Sequence, residues 1–251
     1  MVHYFITGAS SGIGKALAQQ LCADEQLVSA VARRTDRLQA METEMSGFHG
    51  FQADVTSEAS LSSAIADSIA AAGPINVAIL NAGIYEPQDA TKIDPQVYAR
   101  HMDVNYMGVV NALASLVPHM ISNGGGKIVI VSSVAGWRGL PKSAAYGPTK
   151  AALISLAESL VFDLAPKNIA VQVVCPGFVE SEATAVNDFE MPGLMTSDAA
   201  ANDVITGMST STFLIHFPKS FTRKLALLKW VPDSWFFKIV ARQTAQTKDK
   251  L

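Results

Sequence analysis

The sequence predicts an α/β fold, a doubly wound parallel β-sheet with helices on both faces, on three observations. Short β-rich runs alternate with helical patterns from residue 2 to about residue 216, which is the signature of repeated strand-helix-strand units. Most of those runs are apolar at nearly every position, as strands covered on both faces should be. The first run then passes directly into a glycine-rich turn, Thr7-Gly8-Ala9-Ser10-Ser11-Gly12-Ile13-Gly14-Lys15, and a helical pattern starts behind it.

In chain order, strands are expected at residues 2–6, 27–31, 77–80, 128–131 and 170–174, with a weaker one at 47–52. Leu61, Ile65, Ser68, Ile69 and Ala72 share one helical face, and Ser57 ahead of them suits a helix cap. Two further helices, 98–121 and 146–164, are apolar on nearly every side. A helix apolar all round must be covered all round, and the sheet reaches only one side. A homodimer or homotetramer built on these two helices is therefore expected. No internal repeat or linker divides the chain, so residues 1–251 are read as one domain. Within it, 182–210 are expected to be helical and to cover the substrate, with Met191, Leu194, Met195 and Met208 lining an apolar pocket, and 215–251 form a basic, amphipathic extension.

Composition narrows the function classes. Of 251 residues, 49% are apolar and 16% charged, against roughly 25% charged in ordinary soluble proteins, so disorder is excluded as a main theme. Cys22 and Cys175 are too few for a disulfide framework and lie in no zinc-type cluster, so no metal site is expected and both read as small buried hydrophobes. The N-terminus lacks the basic start, apolar core and cleavage site of a signal peptide. The longest stretch without Asp, Glu, Lys or Arg, 104–126, is interrupted by Asn105, Asn111, His119, Asn123 and glycines, so no membrane-spanning helix of ~20 apolar residues is expected. A cytoplasmic location follows as the expectation. The final Lys248-Asp249-Lys250-Leu251 is similar to an ER-retention signal, but without an entry signal it is treated as chance.

Three motifs compete for the glycine-rich turn. A P-loop needs Gly at 9 and Ser or Thr at 16, and both are Ala. Gly8-Ala9-Ser10-Ser11-Gly12 satisfies the nucleophile elbow of hydrolases, yet that elbow belongs deep in a chain with an acid and a histidine after it. A dinucleotide turn uses glycines to bring backbone close to a pyrophosphate at a helix N-terminus. A tight turn without a ligand fits equally well at this point.

This turn resembles that of the short-chain dehydrogenase/reductase family. The resemblance continues in order, and at the family's spacing, through Asp54-Val55, Asn81-Ala82-Gly83, Asn105, Ser133, Tyr146-x-x-x-Lys150 and Pro176-Gly177. It implies a Rossmann fold and hydride transfer between a nicotinamide cofactor and a small-molecule carbonyl or alcohol substrate. It also implies a cofactor site made of Gly8, Ser10, Ser11, Gly12, Ile13, Gly14, Asp54 and Val55 beside the adenine, and Asn81, Ala82 and Gly83 near the ribose. Tyr146, Lys150, Pro176, Gly177, Val179 and Ser181 complete that set, Ser181 taking the slot of a threonine that usually touches the nicotinamide amide.

The residues themselves sharpen this. The second strand ends in Ala32-Arg33-Arg34 with no acid; an acid there serves the ribose hydroxyls of NAD, whereas arginine accommodates a 2′-phosphate. NADP(H) is therefore expected over NAD(H), with Arg33 the chief contact and Arg34 a second candidate; the alternative makes both solvated turn residues. Tyr146 and Lys150 are i and i+4 on one helical face, and a nearby ammonium lowers a phenol's pKa, which makes Lys150 the tuner of a proton-donating Tyr146. By resemblance Lys150 also bonds the nicotinamide ribose. Ser133, thirteen residues before Tyr146, is assigned to the substrate oxygen, and Ser132 on the opposite face to structure. Asn105, by resemblance, holds a water that relays protons to the lysine; the competing account bonds its amide to its own helix backbone. Pro148 inside the motif is tolerable in a helix's first turn.

Residues 215–251 carry eight Lys or Arg against two acids, a net charge of +6 that leaves -9 for the rest. Phe221, Leu225 and Leu228 form one helical stripe, and Pro232 breaks the run before Trp235-Phe236-Phe237. Basic residues with aromatics suit a membrane surface, which points to peripheral membrane contact and a lipophilic substrate. Nucleic acid has no support from the fold, and the plainest account packs the apolar faces on the body. The lead expectation is an NADP(H)-dependent carbonyl reductase or alcohol dehydrogenase. The alternative, a non-catalytic NADP-binding regulatory protein on the same fold, is opposed by the intact Ser133, Tyr146 and Lys150.

Overall fold

The computed structural model describes residues 1–187 and 190–244. Seven parallel strands, β1 (His3–Thr7), β2 (Leu27–Ala32), β3 (Phe48–Gln52), β4 (Val77–Leu80), β5 (Gly126–Val131), β6 (Ile169–Pro176) and β7 (Leu214–Phe217), form one sheet in the order β3-β2-β1-β4-β5-β6-β7. The helices are α1 (Gly12–Ala23), α2 (Thr35–Glu44), α3 (Glu58–Ala72), α4 (Pro95–Met102), α5 (Gly108–Ser122), α6 (Gly147–Leu164), α7 (Ser197–Met208), α8 (Lys219–Leu228) and α9 (Asp233–Thr244).

Neighbouring strand residues feed opposite cores because side chains alternate across a sheet. Phe5, Leu80, Ile128 and Ile130 join Leu61, Leu116 and Leu153 of α3, α5 and α6 on one face. Ile6, Ile79 and Val129 join Leu17, Leu21 and Val204 of α1 and α7 on the other. This double coverage is why the strand sequences read as unbroken apolar runs. The strand order reverses between β1 and β4, which opens a crevice beyond the carboxyl ends of the strands. Register sets what borders it: Thr7 pairs with Val31 and Leu80, Ile130 with Leu80, and Val131 with Val174. The residues just after these pairs therefore share one edge of the sheet.

Local signals hold where they are backbone-local. Ser57 caps α3, its side chain accepting from Ser60 N at 3.2 Å, and Pro148 sits in the first turn of α6. Three differences have tertiary causes. β7 was not expected, being four residues long and containing His216; pairing with β6 makes it a strand. Among the described residues of 182–210, only 197–208 are helical. That helix packs on α1, burying Ala200, Ala201, Val204 and Met208, because its small residues allow close approach. It is a layer of the fold, and Met195 joins the same cluster from a bridge to Val179; Glu182 and Asn187, which precede this helix, contact Arg34 and Tyr85. The helix expected at 98–121 begins earlier and contains a π-helical turn, Asp103–Met107. The run Pro95–Ser122 is long and apolar enough to cross a membrane by length and composition alone, and Leu113, Leu116 and Met120 bury one face of it in the core.

The C-terminal stripe packs as its spacing suggested. Phe221 and Leu225 lie against the core, and Phe236 and Ala241 of α9 are buried. Arg138 clamps the α8–α9 corner: it stacks 3.9 Å from the Phe236 ring centre, pairs with Asp233 at 2.7 Å and donates to Val231 O at 3.2 Å. The chain end similar to a retention signal, 248–251, lies outside the described residues.

Candidate active site

The glycine turn divides its labour. A Cβ on Gly8 would lie 2.7 Å from Ala82 Cα, and one on Gly14 2.5 Å from Gly8 O, so these two glycines let the turn close on itself and on the end of β4. Gly12 adopts φ +55°, a left-handed conformation that favours glycine, and a Cβ there would meet Ser181 Cβ at 3.4 Å. The side chain of Ser11, which precedes Gly12, Ile13 and Gly14, caps no N–H of α1. Thr7 Oγ1 accepts from the N–H groups of Asn81 and Ala82, both at 3.0 Å, while Asn81 Nδ2 donates to Thr7 O and Gly8 O at 3.1 and 3.2 Å. Asn81 and Ala82 thus lock the ends of β1 and β4 together as the floor of the crevice, which is a firmer role than a simple turn.

Beyond β2 the structure places the two arginines differently. Arg33 is exposed, and its charge adds to the Thr56 N–H, the larger cause, in holding the Asp54 carboxyl below its ordinary range. Val55 packs its side chain on Gly108, and its carbonyl accepts from Asn111 Nδ2 at 2.9 Å. Arg34 turns back onto the glycine turn, donating from Nε and Nη2 to Ser10 Oγ at 3.1 and 2.9 Å and from Nη2 to Ser11 Oγ at 2.9 Å. Its Nη1 pairs with Glu182 at 2.7 Å, and Arg37 Nη1 pairs with the other Glu182 oxygen at 2.6 Å. Sequence reasoning weighted Arg33 above Arg34 and passed over Arg37 and Glu182. The i, i+3 spacing of Arg34 and Arg37 was the available signal for the first; Glu182, some 145 residues away, left none. With Arg34 donating to it, Ser10 has a cation where a nucleophile elbow needs a base, and the hydrolase account falls.

The candidate chemical centre lies across the crevice. Ser133, two residues past β5, accepts from Ala135 N at 3.1 Å and hydrogen-bonds Tyr146, which stands at the start of α6. Ser132 takes the expected structural role, donating to Lys150 O at 2.7 Å. Lys150 is 3% exposed; its Nζ donates to Val131 O at 2.9 Å and sits 5.6 Å from the Tyr146 ring centre. Burial pushes Lys150 down to about 8. It pushes Tyr146 up to about 12, against the opposing hydrogen bond from Ser133. The expectation that Lys150 lowers the tyrosine is not met in this arrangement. The ammonium is held by a strand carbonyl, so loss of water around the phenol decides the direction.

Asn105, in the π-helical turn and fully buried, accepts from Ile84 N at 2.7 Å. Its Nδ2 donates to Ile84 O and Thr149 Oγ1, both at 3.0 Å. These bonds join the segment after β4 to the helix of Tyr146 and Lys150, and none goes to the amide's own helix. A Cβ on Gly83 would sit 3.2 Å from Asn105 Oδ1 and 3.4 Å from Lys150 Nζ, so glycine there admits both groups. Pro176 ends β6, Gly177 N donates to Phe217 O at 2.7 Å, and Val179 is buried. Ser181 keeps its hydroxyl 3.2 Å from Thr184 Oγ1. Tyr85, which no motif marked, places its ring 5.1 Å from that of Tyr146 at 74° and donates to Asn187 Oδ1 at 3.1 Å.

A family model described as short chain dehydrogenase matches residues 3–190. An uncharacterized oxidoreductase of Myxococcus xanthus is 33% identical over 235 residues, 92% of this chain and 93% of the other. A 2-dehydro-3-deoxy-L-rhamnonate dehydrogenase (NAD(+)) of Sphingomonas is 33% identical over 177 residues, 70% of this chain and 71% of its own. The solved structure of a short chain dehydrogenase from Burkholderia cenocepacia, in complex with NADP, shares the fold with a TM-score of 0.80 at 23% identity, covering 98% of each chain.

Proposed function

The chain belongs to the short-chain dehydrogenase family and is an oxidoreductase acting on CH–OH groups; from that premise we propose that it transfers a hydride between NADP(H) and an apolar carbonyl or alcohol substrate. The observation that carries this is the Ser133–Tyr146 hydrogen bond with Lys150 buried behind it, at the edge of the sheet shared with the glycine turn. A catalytic centre kept intact in this way argues against a purely regulatory NADP-binding role.

The residues present fit a dinucleotide. Gly12 takes the left-handed φ that a tight backbone turn beside a ligand requires, and the α1 N-terminus beside it has no side-chain cap. In this reading Gly8, Ser10, Ser11, Gly12, Ile13 and Gly14 border the pyrophosphate, Asp54 and Val55 the adenine, and Asn81, Ala82, Gly83 and Lys150 the riboses. Pro176, Gly177, Val179 and Ser181 flank the nicotinamide. The preference for NADP(H) rests on Ala32, which puts no carboxylate at the end of β2, and on the exposed Arg33 with Arg34 behind it. Similar proteins point both ways, the Sphingomonas enzyme being named for NAD(+) and the Burkholderia protein holding NADP.

When bound, the nicotinamide supplies or accepts the hydride. Tyr146 gives the proton to the carbonyl oxygen, or removes it in the reverse direction, and Ser133 donates a hydrogen bond to that oxygen. Lys150 keeps positive charge close to the phenol at neutral pH. Asn105 fixes the lysine's helix through Thr149 and holds the relaying water.

An apolar substrate is supported by Tyr85 against Tyr146 and by Met191, whose sulfur lies 3.3 Å from the Asn187 amide that Tyr85 bonds. A homodimer or homotetramer is supported by Met102, Met107 and Phe162, large apolar side chains left exposed on the α4–α6 surface. Peripheral membrane contact, from a cytoplasmic location, is supported by Leu227, Trp230, Trp235 and Phe237, exposed among Arg223, Lys224, Lys229 and Lys238. The reaction is tested by an NADPH-oxidation screen across aldehydes, ketones, steroids and long-chain carbonyl compounds. Turnover of an apolar carbonyl is expected, and inactivity across the whole panel would overturn the assignment. Liposome flotation of wild type against Trp230→Ala/Trp235→Ala tests the membrane contact, and equal flotation would remove it.

A further inference from the structure

We propose that Glu182 is a built-in competitor for the 2′-phosphate of NADP(H), a residue that sets how strongly the enzyme favours this cofactor over NAD(H). The inference rests on the NADP(H) reading above and deepens it.

The glycine turn and the start of α2 assemble a cationic seat. Arg34 precedes α2 and Arg37 lies one turn later, so both guanidinium groups leave the same side of the helix start. Arg34 is anchored by three hydrogen bonds to Ser10 and Ser11 hydroxyls, and Arg37 Nη1 also donates to Ser10 O at 3.3 Å. The two outward Nη1 atoms are thereby presented together to one anion. Glu182 supplies it, one carboxylate oxygen to each guanidinium at 2.7 and 2.6 Å. These contacts hold the carboxyl below its ordinary range. One anion bridging two guanidinium groups beside a dinucleotide turn is the arrangement that a phosphate monoester would also satisfy, with a third oxygen to spare and more charge.

Glu182 reaches this seat from the segment that follows β6. Ser181 beside it is the residue facing Gly12, and the Ser181–Thr184 turn holds the segment in place. An anion entering between Arg34 and Arg37 must therefore take the bonds that Glu182 makes, and Glu182 must leave or face a like charge at close range. The carboxylate is more than half exposed, so its release costs little and the competition is modest rather than blocking. NAD(H), with no 2′-phosphate, does not contest the seat. Glu182 should therefore weaken NADP(H) selectively and narrow a preference that the arginines would otherwise make wider.

The test is calorimetric titration of the full chain, as wild type, Glu182→Gln and Glu182→Ala, with 2′,5′-ADP, 5′-ADP, NADPH and NADH at fixed low ionic strength. Both variants are expected to bind 2′,5′-ADP and NADPH roughly three- to tenfold more tightly, with 5′-ADP and NADH within about twofold of wild type, and the gain should shrink as salt is raised. Unchanged or weaker 2′,5′-ADP binding in both variants would overturn the proposal, since Glu182 would then be holding the arginines in place for the phosphate. Equal affinity of the wild type for 2′,5′-ADP and 5′-ADP would instead remove the NADP(H) reading, and the proposal with it.

Discussion

The two walls of the crevice hold charge under opposite conditions. At the Tyr146–Lys150 wall a lysine that is 3% exposed and a desolvated phenol are shifted far from their ordinary values, to about 8 and about 12. At the Arg34–Arg37–Glu182 wall both guanidinium groups meet the carboxylate at under 3 Å while remaining open to water, and the carboxyl is held below its ordinary range by its partners. In a dry site the absence of water sets the protonation state, whereas in a wet one the partner sets it and exchanges readily for another. In the proposed function, proton chemistry belongs on the first wall and ligand selection on the second.

The largest expected effect tests the dry wall directly. Tyr146→Phe keeps the ring contact with Tyr85 but deletes the proton donor, so turnover should fall by about a thousandfold or more while NADPH binding, followed by fluorescence titration, stays near wild type. Unchanged turnover would move the chemistry elsewhere.

Next is the protonation of Lys150, read from stability without cofactor. Its folded value of about 8 lies below the ordinary lysine value of 10.5, so between these the unfolded chain binds more protons and stability should rise with pH, by up to about 3 kcal/mol. Tyr146 has the opposite sign: its raised value makes stability fall from about pH 10 to about 12. Urea denaturation from pH 7 to 10 should show the wild type gaining on Lys150→Met, and parallel curves would mean that the lysine is not desolvated.

Asn105→Ala leaves the buried Ile84 N–H without its acceptor and Thr149 without its donor. A loss of about 2–3 kcal/mol is expected in denaturant unfolding, together with a reduced kcat that Asn105→Asp does not fully restore. The smallest effects belong to the wet wall. Arg33→Ala and Arg34→Ala should each weaken NADPH by roughly tenfold or less and leave NADH nearly unchanged, with the difference fading at high salt. Equal losses for both cofactors would sink the phosphate assignment.

Much of the dry wall was legible in the sequence, because its residues are spaced by regular structure. Tyr146 and Lys150 share a helical face at i, i+4, Ser133 follows a strand end, and Ser132 and Ser133 separate by the two-residue alternation. The wet wall was half legible. Arg33 and Arg34 were marked by their place after β2, but which of them grips the glycine turn follows from how α2 begins, and Glu182 arrives from a distant loop.

The alternation of apolar runs, the glycine spacing and the helix cap at Ser57 are local properties of the backbone, and the sequence by itself determined the doubly wound sheet and the family from them. Tertiary structure alone decided that 214–217 become a strand, that 197–208 pack on α1, and that Asn105 bonds outward from a π-helical turn. It also decided that burial, not the neighbouring lysine, sets the tyrosine. Each of these depends on which groups meet across tens to hundreds of residues and on how much water is left between them. Neither quantity is written in residue order.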